Sequence, residues 1–174
     1  MTKSTTGLDP LTRLSMQLSN PNLARAGLLK LVCEAIASSV PKSNRTSLWK
    51  FSDDQSFITC IALLTPDGFQ QPEGLRLTQK DYPEYFEAII KSDSVMASDA
   101  RSHPDTRCFN KGYFDEEHIY SLMDYMFNND FSPFGIICCE SAGKQVDWSQ
   151  EDLQSLERAA RIVSIFSNIR HLAE

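Results

Sequence analysis

Two pairs of strand-like segments constrain the fold of this chain more than any other feature. Residues 45–51 and 56–64 are rich in β-branched and aromatic residues, and so are residues 118–127 and 133–141. A short turn rich in Asp and Asn separates the two members of each pair. Because hairpins join neighbouring strands of opposite direction, the pattern predicts an antiparallel sheet.

Two helices are predicted before the first strand. Leucines recur every three or four residues over residues 8–18, and a second apolar stripe covers residues 28–36. The Asn20-Pro21 pair interrupts the pattern. We expect Asn20 to cap the second helix, with Pro21 in its first turn.

Further helices are predicted in the middle and at the end of the chain. Asp81 is positioned to cap a helix that begins near Pro83, and a capping-box pattern at Ser149 predicts a C-terminal helix over about residues 149–172. Shorter predicted elements are a turn at 66–68, strands near 75–77 and 95–97, and a short helix at 109–114. Hairpins flanked by helices predict an α+β fold.

Charge and cysteine content exclude several classes of protein. The formal net charge of the 174 residues is -6, which disfavours a non-specific nucleic-acid binder. No apolar run approaches the roughly 20 residues of a membrane span. The first ten residues contain no apolar stretch of a secretory signal, and the chain has five cysteines. We therefore expect free thiols and a cytoplasmic location.

Polar residues with possible binding roles occur in a loop and in one strand. Residues 99–106 form the densest polar cluster, in which Arg101 is suited to pair with an anionic ligand. Asp99 in the same loop is equally explained as a partner for loop amides. Asp124 interrupts an apolar strand, so it needs a partner, a wet cavity or an exposed sheet face.

Aromatic and sulfur-containing residues permit similar alternatives. Cys108 lies beside Arg107 and near Lys111, so a lowered thiol pKa and a redox or adduct role are possible, as is an ordinary loop cysteine. Either a ligand pocket or the ordinary core explains a set of large side chains that comprises Tyr85, Phe86, Phe109, Tyr113, Met123 and Met126.

A set of short motifs, taken in order, resembles the GAF domain, a small-molecule sensor module of signalling proteins. The motifs are Arg45-x-Ser47-x-Trp49-x-Phe51, Asp81-Tyr82-Pro83-x-Tyr85-Phe86-x-Ala88, Asp99-Ala100, Pro104-x-Thr106-x-x-Phe109, Ile119-x-Ser121-Leu122-Met123-Asp124, Pro133-x-Gly135-x-x-Cys138-x-Glu140, Gly143 and Trp148. The chain is most similar to the variant found ahead of bacterial histidine kinases and cyclic-di-GMP enzymes.

The resemblance implies a GAF-like antiparallel sheet of five or six strands. The N- and C-terminal helices are expected on one face, with a ligand-covering helix and loops on the other. Residues 1–20 are expected to form a helical extension, and residues 21–174 the GAF domain. The ligand-binding candidates that follow are Tyr85, Phe86, Asp99, Arg101, Phe109, Tyr113, Ser121, Met123 and Asp124.

The leading hypothesis is a non-enzymatic, dimeric sensor that binds an unidentified small molecule and signals through its terminal helices to a partner. We assign no cofactor, metal or catalytic residue. One alternative is an interaction or dimerisation module without a ligand. A second is a thiol-based redox enzyme that uses Cys108 with Cys138 or Cys139.

Overall fold

The computed structural model describes residues 7–166, whose strands form one antiparallel sheet of seven strands. The strands are β1 (Arg45–Phe51), β2 (Phe57–Thr65), β3 (Gly68–Gln70), β4 (Arg76–Thr78), β5 (Ser94–Ala97), β6 (Ile119–Asn129) and β7 (Ser132–Ala142). The helices are α1 (Pro10–Leu18), α2 (Arg25–Ser39), α3 (Pro83–Ser92), the single turn α4 (Asp115–Glu117) and α5 (Gln150–Ile165). The strand order is β3-β2-β1-β7-β6-β5, and β4 pairs with β2.

The predicted α+β fold and both hairpins are confirmed. β1 spans the predicted residues, and β2 begins one residue later than expected. The sheet has seven strands in place of five or six because the predicted turn at 66–68 is shorter than expected, and the chain continues from Gly68 as β3. This short strand pairs with the end of β2, with Thr65 opposite Gly68.

Helices cover the two faces of the sheet in two distinct layers. We call α1, α2 and α5 the helix layer, because they share one hydrophobic cluster with sheet residues such as Leu48, Met123 and Cys139. We call α3 and residues 107–117 the cap layer, because they share a second cluster with Trp49 and Ile136 from the opposite face. Residues 107–117 alone are the cap segment. This two-sided arrangement agrees with the predicted placement of the helices.

Three details of the predicted helices differ from the structure: one start, one cap and one element type. α2 begins at Arg25, because the Asn20 carboxamide accepts from the Asn22 amide at 3.0 Å and forms a turn instead of a cap. α3 begins at Pro83 as predicted, but its N-cap residue is Tyr82, and the Asp81 carboxylate instead accepts from the Thr78 hydroxyl at 2.9 Å. The predicted helix at 109–114 is instead a 3-10 turn (Arg107–Phe109) followed by a wide turn (Asn110–Phe114) that is kinked where Gly112 has a φ of 91°.

The terminal helices are described in part. The capping box at Ser149 is confirmed, with Asp152 as its partner. The described residues end at 166, so the expected continuation of α5 towards residue 172 lies outside them. The domain boundary at residue 20 stays a prediction, although α1 buries Leu11, Leu14 and Leu18 in the helix layer. Within residues 7–166, no helix has the length and apolar content needed to cross a membrane.

A substitution at Gly135 tests the packing between β1, β6 and β7. An ideal Cβ there would lie 2.3 Å from Phe127 Cζ and 2.3 Å from the Trp49 carbonyl oxygen. We expect Gly135→Ala to lower the free energy of unfolding by about 1–3 kcal/mol, because the added methyl overpacks the core. Urea denaturation measures this change.

Gly27→Ala is the matched control in α2. Among the described residues, nothing lies within 4 Å of the Cβ that this substitution adds. The helix should gain about 1 kcal/mol from the better propensity of alanine. Equal effects of the two substitutions would contradict the packing at Gly135.

Candidate functional site

Two buried charges face each other on neighbouring strands beneath the cap layer. The register of β1 with β7 places Arg45 opposite Glu140, and the Arg45 Nε lies 3.2 Å from Glu140 Oε1. The Arg45 Nη1 lies 3.2 Å from Glu117 Oε2, at the end of the cap segment. The Tyr113 hydroxyl donates to Glu140 Oε2 at 3.0 Å. The sheet is therefore joined to the cap segment at two points, by the Arg45–Glu117 ion pair and by the Tyr113–Glu140 hydrogen bond.

The interactions of this group favour a cationic Arg45. Burial lowers the pKa of its guanidinium, but Glu140, Tyr113 and Glu117 outweigh that effect and raise the pKa overall. Burial raises the pKa of Glu140, and Arg45 opposes the rise. Removal of one partner from a buried ion pair typically costs about 3–5 kcal/mol, whereas apolar replacement of the whole pair is often neutral or stabilising. The stability of the fold alone therefore does not explain why this chain has a buried ion pair at this position.

A second polar group lies on the same sheet face, one strand further along. Asp124 is opposite Cys138 in the register of β6 with β7, and it is 3% exposed. The Tyr85 hydroxyl, from α3, donates to Asp124 Oδ2. Among residues 7–166, no hydrogen-bond partner reaches the buried Oδ1.

The surroundings of Asp124 favour its neutral form. Burial raises the pKa of this carboxyl to about 8, although interactions with Cys138 and Tyr85 oppose the rise. At neutral pH the group is therefore mostly protonated. Burial also raises the pKa of Tyr85 well above its usual value, so its hydroxyl remains a donor.

Aromatic rings of the cap layer cover these polar groups. The Phe109 ring centroid lies 4.8 Å from that of Tyr85 and 5.6 Å from that of Tyr113. Trp49, from the sheet, packs edge-on against Tyr113 at 6.0 Å. The remaining space between the rings and Asp124, which we call the inner cavity, has a volume of about 10 Å³. That volume holds about one water molecule, so the cavity is too small for a larger ligand unless the cap layer moves.

Five of the predicted ligand-binding residues lie together in the cap-side cluster. They are Tyr85, Phe86, Phe109, Tyr113 and Asp124. Four of them line the inner cavity, and Phe86 packs against Tyr85 with a ring distance of 5.9 Å. The prediction that these residues meet in space therefore agrees with the structure, while their binding role stays a prediction.

The other four predicted residues lie elsewhere. Met123 is in the helix layer, because it neighbours Asp124 on β6 and points to the opposite face. The Ser121 hydroxyl donates to the Ser98 carbonyl at 2.6 Å and accepts from the Val146 amide at 2.9 Å. It therefore links the loop after β5 to the loop before α5. Asp99 is exposed in its loop.

Arg101 connects the loop to the cap segment. Its Nε donates to the Ile119 carbonyl at 2.9 Å, and its Nη1 lies 2.8 Å from Asp115 Oδ1. The guanidinium also covers the Tyr120 ring at 4.4 Å. These contacts hold neighbouring segments together, and the predicted pairing of Arg101 with an anionic ligand stays a prediction.

Sequence reasoning did not select Arg45 and Glu140 as site residues, although both occur in the quoted motifs. A signal was present, because each places a charge within a strand-like segment, as Asp124 does. Their pairing became visible only with the register of β1 and β7.

The cysteines have surroundings that disfavour thiolate chemistry. Burial is the largest cause of a raised pKa at all five thiols, which are Cys33, Cys60, Cys108, Cys138 and Cys139. For Cys108 this direction is opposite to the lowering that its basic neighbours suggested. Across residues 7–166, no group of three or more His, Cys, Asp and Glu residues is arranged to hold a metal ion.

Solved structures similar to this chain identify the fold. The GAF domain from an Acinetobacter phosphoenolpyruvate-protein phosphotransferase is 16% identical, with 98% of both chains covered and a TM-score of 0.72. A phycocyanobilin-bound GAF domain from a cyanobacterial phytochrome is 14% identical, with 95% of both chains covered and a TM-score of 0.67. The chain therefore has the GAF fold.

The same fold also occurs in an enzyme. Free methionine-R-sulfoxide reductase from Neisseria meningitidis, solved with its substrate, is 15% identical and has a TM-score of 0.65, with 94% of this chain and 89% of that chain covered. Neither a protein-family model nor a curated protein sequence matches the chain. Similarity at this level of identity establishes the fold, and function must be argued from the site.

The pH dependence of stability tests the surroundings of Asp124. Its pKa is about 8 in the folded protein and 3.8 as the ordinary value, so between these values the folded state retains a proton that the unfolded state has released. The free energy of unfolding should therefore fall as the pH rises through this interval. Asp124→Asn removes this titration, so the fall between about pH 5 and pH 8 should be smaller in the variant.

Urea unfolding across this pH range measures the difference. Asp53→Asn makes the same change at an exposed residue of the β1–β2 turn, and this variant should keep the wild-type pH dependence. Parallel curves for wild type and Asp124→Asn would show that Asp124 titrates normally.

Proposed function

We propose that the chain is a non-enzymatic sensor domain that binds a small molecule between the sheet and the cap layer. The observation that supports this proposal is the buried Asp124 Oδ1, for which the described residues provide no hydrogen-bond partner. Such groups are rare in native structures because their burial without a partner is costly. A ligand N–H or O–H group would satisfy this oxygen by donating to the ionised carboxylate, so binding of such a ligand would release the proton that Asp124 otherwise carries at neutral pH.

The walls of the inner cavity indicate the class of ligand. Trp49, Tyr85, Phe109 and Tyr113 present aromatic rings, and Asp124 presents an oxygen that accepts a hydrogen bond. A flat ring system with a polar N–H or O–H edge combines both properties. Because the cavity volume is about 10 Å³, such a ligand requires outward movement of the cap layer.

The strands offer a direct route from the site to the helix layer. On β6, Asp124 faces the cap layer while its neighbour Met123 packs in the helix layer, and Cys138 and Cys139 of β7 are divided in the same way. A ligand that changes the spacing of the strands would therefore alter the packing of α2 and α5. We propose that dimerisation through the terminal helices, or a signalling partner, receives this change.

A second candidate is a ligand-free interaction or dimerisation module. The small volume of the inner cavity favours this alternative, because a filled core binds nothing until it opens. A thiol redox enzyme is less well supported, because burial raises the pKa of the cysteines. A cytoplasmic location stays a prediction.

Native mass spectrometry of the chain, purified from the cells that produce it, separates these candidates. The sensor proposal predicts extra mass that is lost on denaturation. Asp124→Asn should carry less of this mass, because the amide replaces the carboxyl that receives the ligand's donor, whereas the exposed Asp53→Asn should retain it. Persistent mass after denaturation would instead indicate a covalent adduct.

Absence of bound mass requires a second measurement. Thermal unfolding of the purified protein with a panel of nitrogen heterocycles tests for binding after loss of the ligand during purification. A ligand at 100 times its Kd should stabilise the fold by about 2.7 kcal/mol. No bound mass together with no stabilised member of the panel would favour the interaction module.

A further inference from the structure

An open cleft lies at the end of the sheet where β1 begins. Its volume is about 510 Å³, and Arg45, Leu63, Leu75 and Glu117 contribute to its lining. It is much larger than the inner cavity, whose volume is about 10 Å³. We call this space the outer cleft.

The Arg45–Glu140 ion pair has one member in the lining of the outer cleft and one in the lining of the inner cavity. Arg45 lines the cleft, and Glu140, its partner at 3.2 Å, lines the cavity. The same division occurs beside them, where Leu75 lines the cleft and Leu77 lines the cavity. The linings of the two spaces are therefore in contact at the Arg45–Glu140 ion pair.

The two bonds of Arg45 differ in their exposure to water. The Glu140 side chain is fully buried, whereas the Glu117 side chain is 36% exposed and lies 3.2 Å from Nη1. Water and ions screen an exposed ion pair more than a buried one, so the Glu117 bond is the easier of the two to break. Glu117 is the last residue of α4, and His118 after it has a left-handed φ of 57°.

We propose that the outer cleft is the entrance to the inner cavity, and that the Glu117–Arg45 ion pair is its gate. Release of Glu117 removes the ion pair between the end of the cap segment and Arg45, while Arg45 keeps its bond to Glu140 and the segment stays attached through Tyr113 and Asp115. The ligand then passes between Leu75 and the cap segment towards Asp124. This inference rests on the proposed sensor function, whose ligand it admits from the cleft side.

The rate of thiol labelling measures how often the inner cavity opens, and it requires no ligand. Cys138 lines the inner cavity, whereas Cys139 lies in the helix layer, so the two report separately on the two faces. Methyl methanethiosulfonate is small enough to serve as the probe, and peptide mass spectrometry distinguishes the labelled cysteines. Glu117→Gln should raise the labelling rate of Cys138 about fivefold and leave that of Cys139 unchanged.

Glu116→Gln is the matched control. Glu116 is exposed, carries the same charge and belongs to the same helical turn. This variant should label both cysteines at the wild-type rates. Equal Cys138 rates in wild type and Glu117→Gln would overturn the gate, and so would a parallel rise at Cys139, which indicates loosening of the whole fold.

A third variant tests the opposite side of the cavity. Tyr85→Phe removes the hydrogen bond from α3 to Asp124. If this variant exposed Cys138 while Glu117→Gln did not, access would be from the α3 side and the proposal would be wrong. Bound mass in the native spectrum with unchanged labelling would contradict the gate alone, whereas a fivefold rise with no ligand detected would contradict the sensor function alone.

Discussion

The antiparallel register of β1, β7 and β6 is the constraint on which both layers depend. It aligns Arg45 with Glu140, and it aligns Asp124 with Cys138 one step along the sheet. Since neighbouring side chains of a strand point to opposite faces, a register shift of one residue would send these polar groups into the helix layer. The helix-layer cluster consists mainly of apolar side chains, so burial of these polar groups there would be costly. Packing on one face therefore maintains the polar arrangement on the other.

The polar groups under the cap layer are expensive to retain. Asp124 loses its charge at neutral pH because burial raises its pKa to about 8, while Arg45 and Glu140 compensate one another. Apolar residues of similar volume would avoid both costs, and replacement of a buried ion pair by such residues is often stabilising. Sites that bind ligands commonly sacrifice stability in this way. The cost of these groups therefore favours a binding role over a purely structural one.

The sequence predicted the elements better than the site, because elements depend on local pattern. β1 and the capping box at Ser149 follow from residue types and spacing that act within a few positions. The predicted start of α2 was wrong. The Asn20 side chain could serve as a cap or in a turn, and the local sequence pattern did not distinguish the two uses.

The site depends on contacts between distant residues. The candidates Met123 and Asp124 are adjacent in sequence, so strand alternation puts at most one of them in any pocket, and the pattern alone did not determine which. Arg101 has the right charge for an anionic ligand, but nearby carbonyl groups and Asp115 occupy it. Arg45 and Glu140 are separated by 95 positions, and only the sheet brings them together.

The small volume of the inner cavity sets a thermodynamic condition for the proposed ligand. Binding must supply the free energy to move the cap layer, so the ligand's affinity is reduced by the rarity of the open state. The gain comes from contacts that exist only in that state, including a donor for Asp124 Oδ1 and aromatic contacts with Phe109 and Tyr113. Because β6 and β7 hold side chains of both layers, opening on the cap side changes the support of α5, which packs on β6. Under the proposed function, the same strands that keep the polar groups in place would link ligand binding to the helix layer.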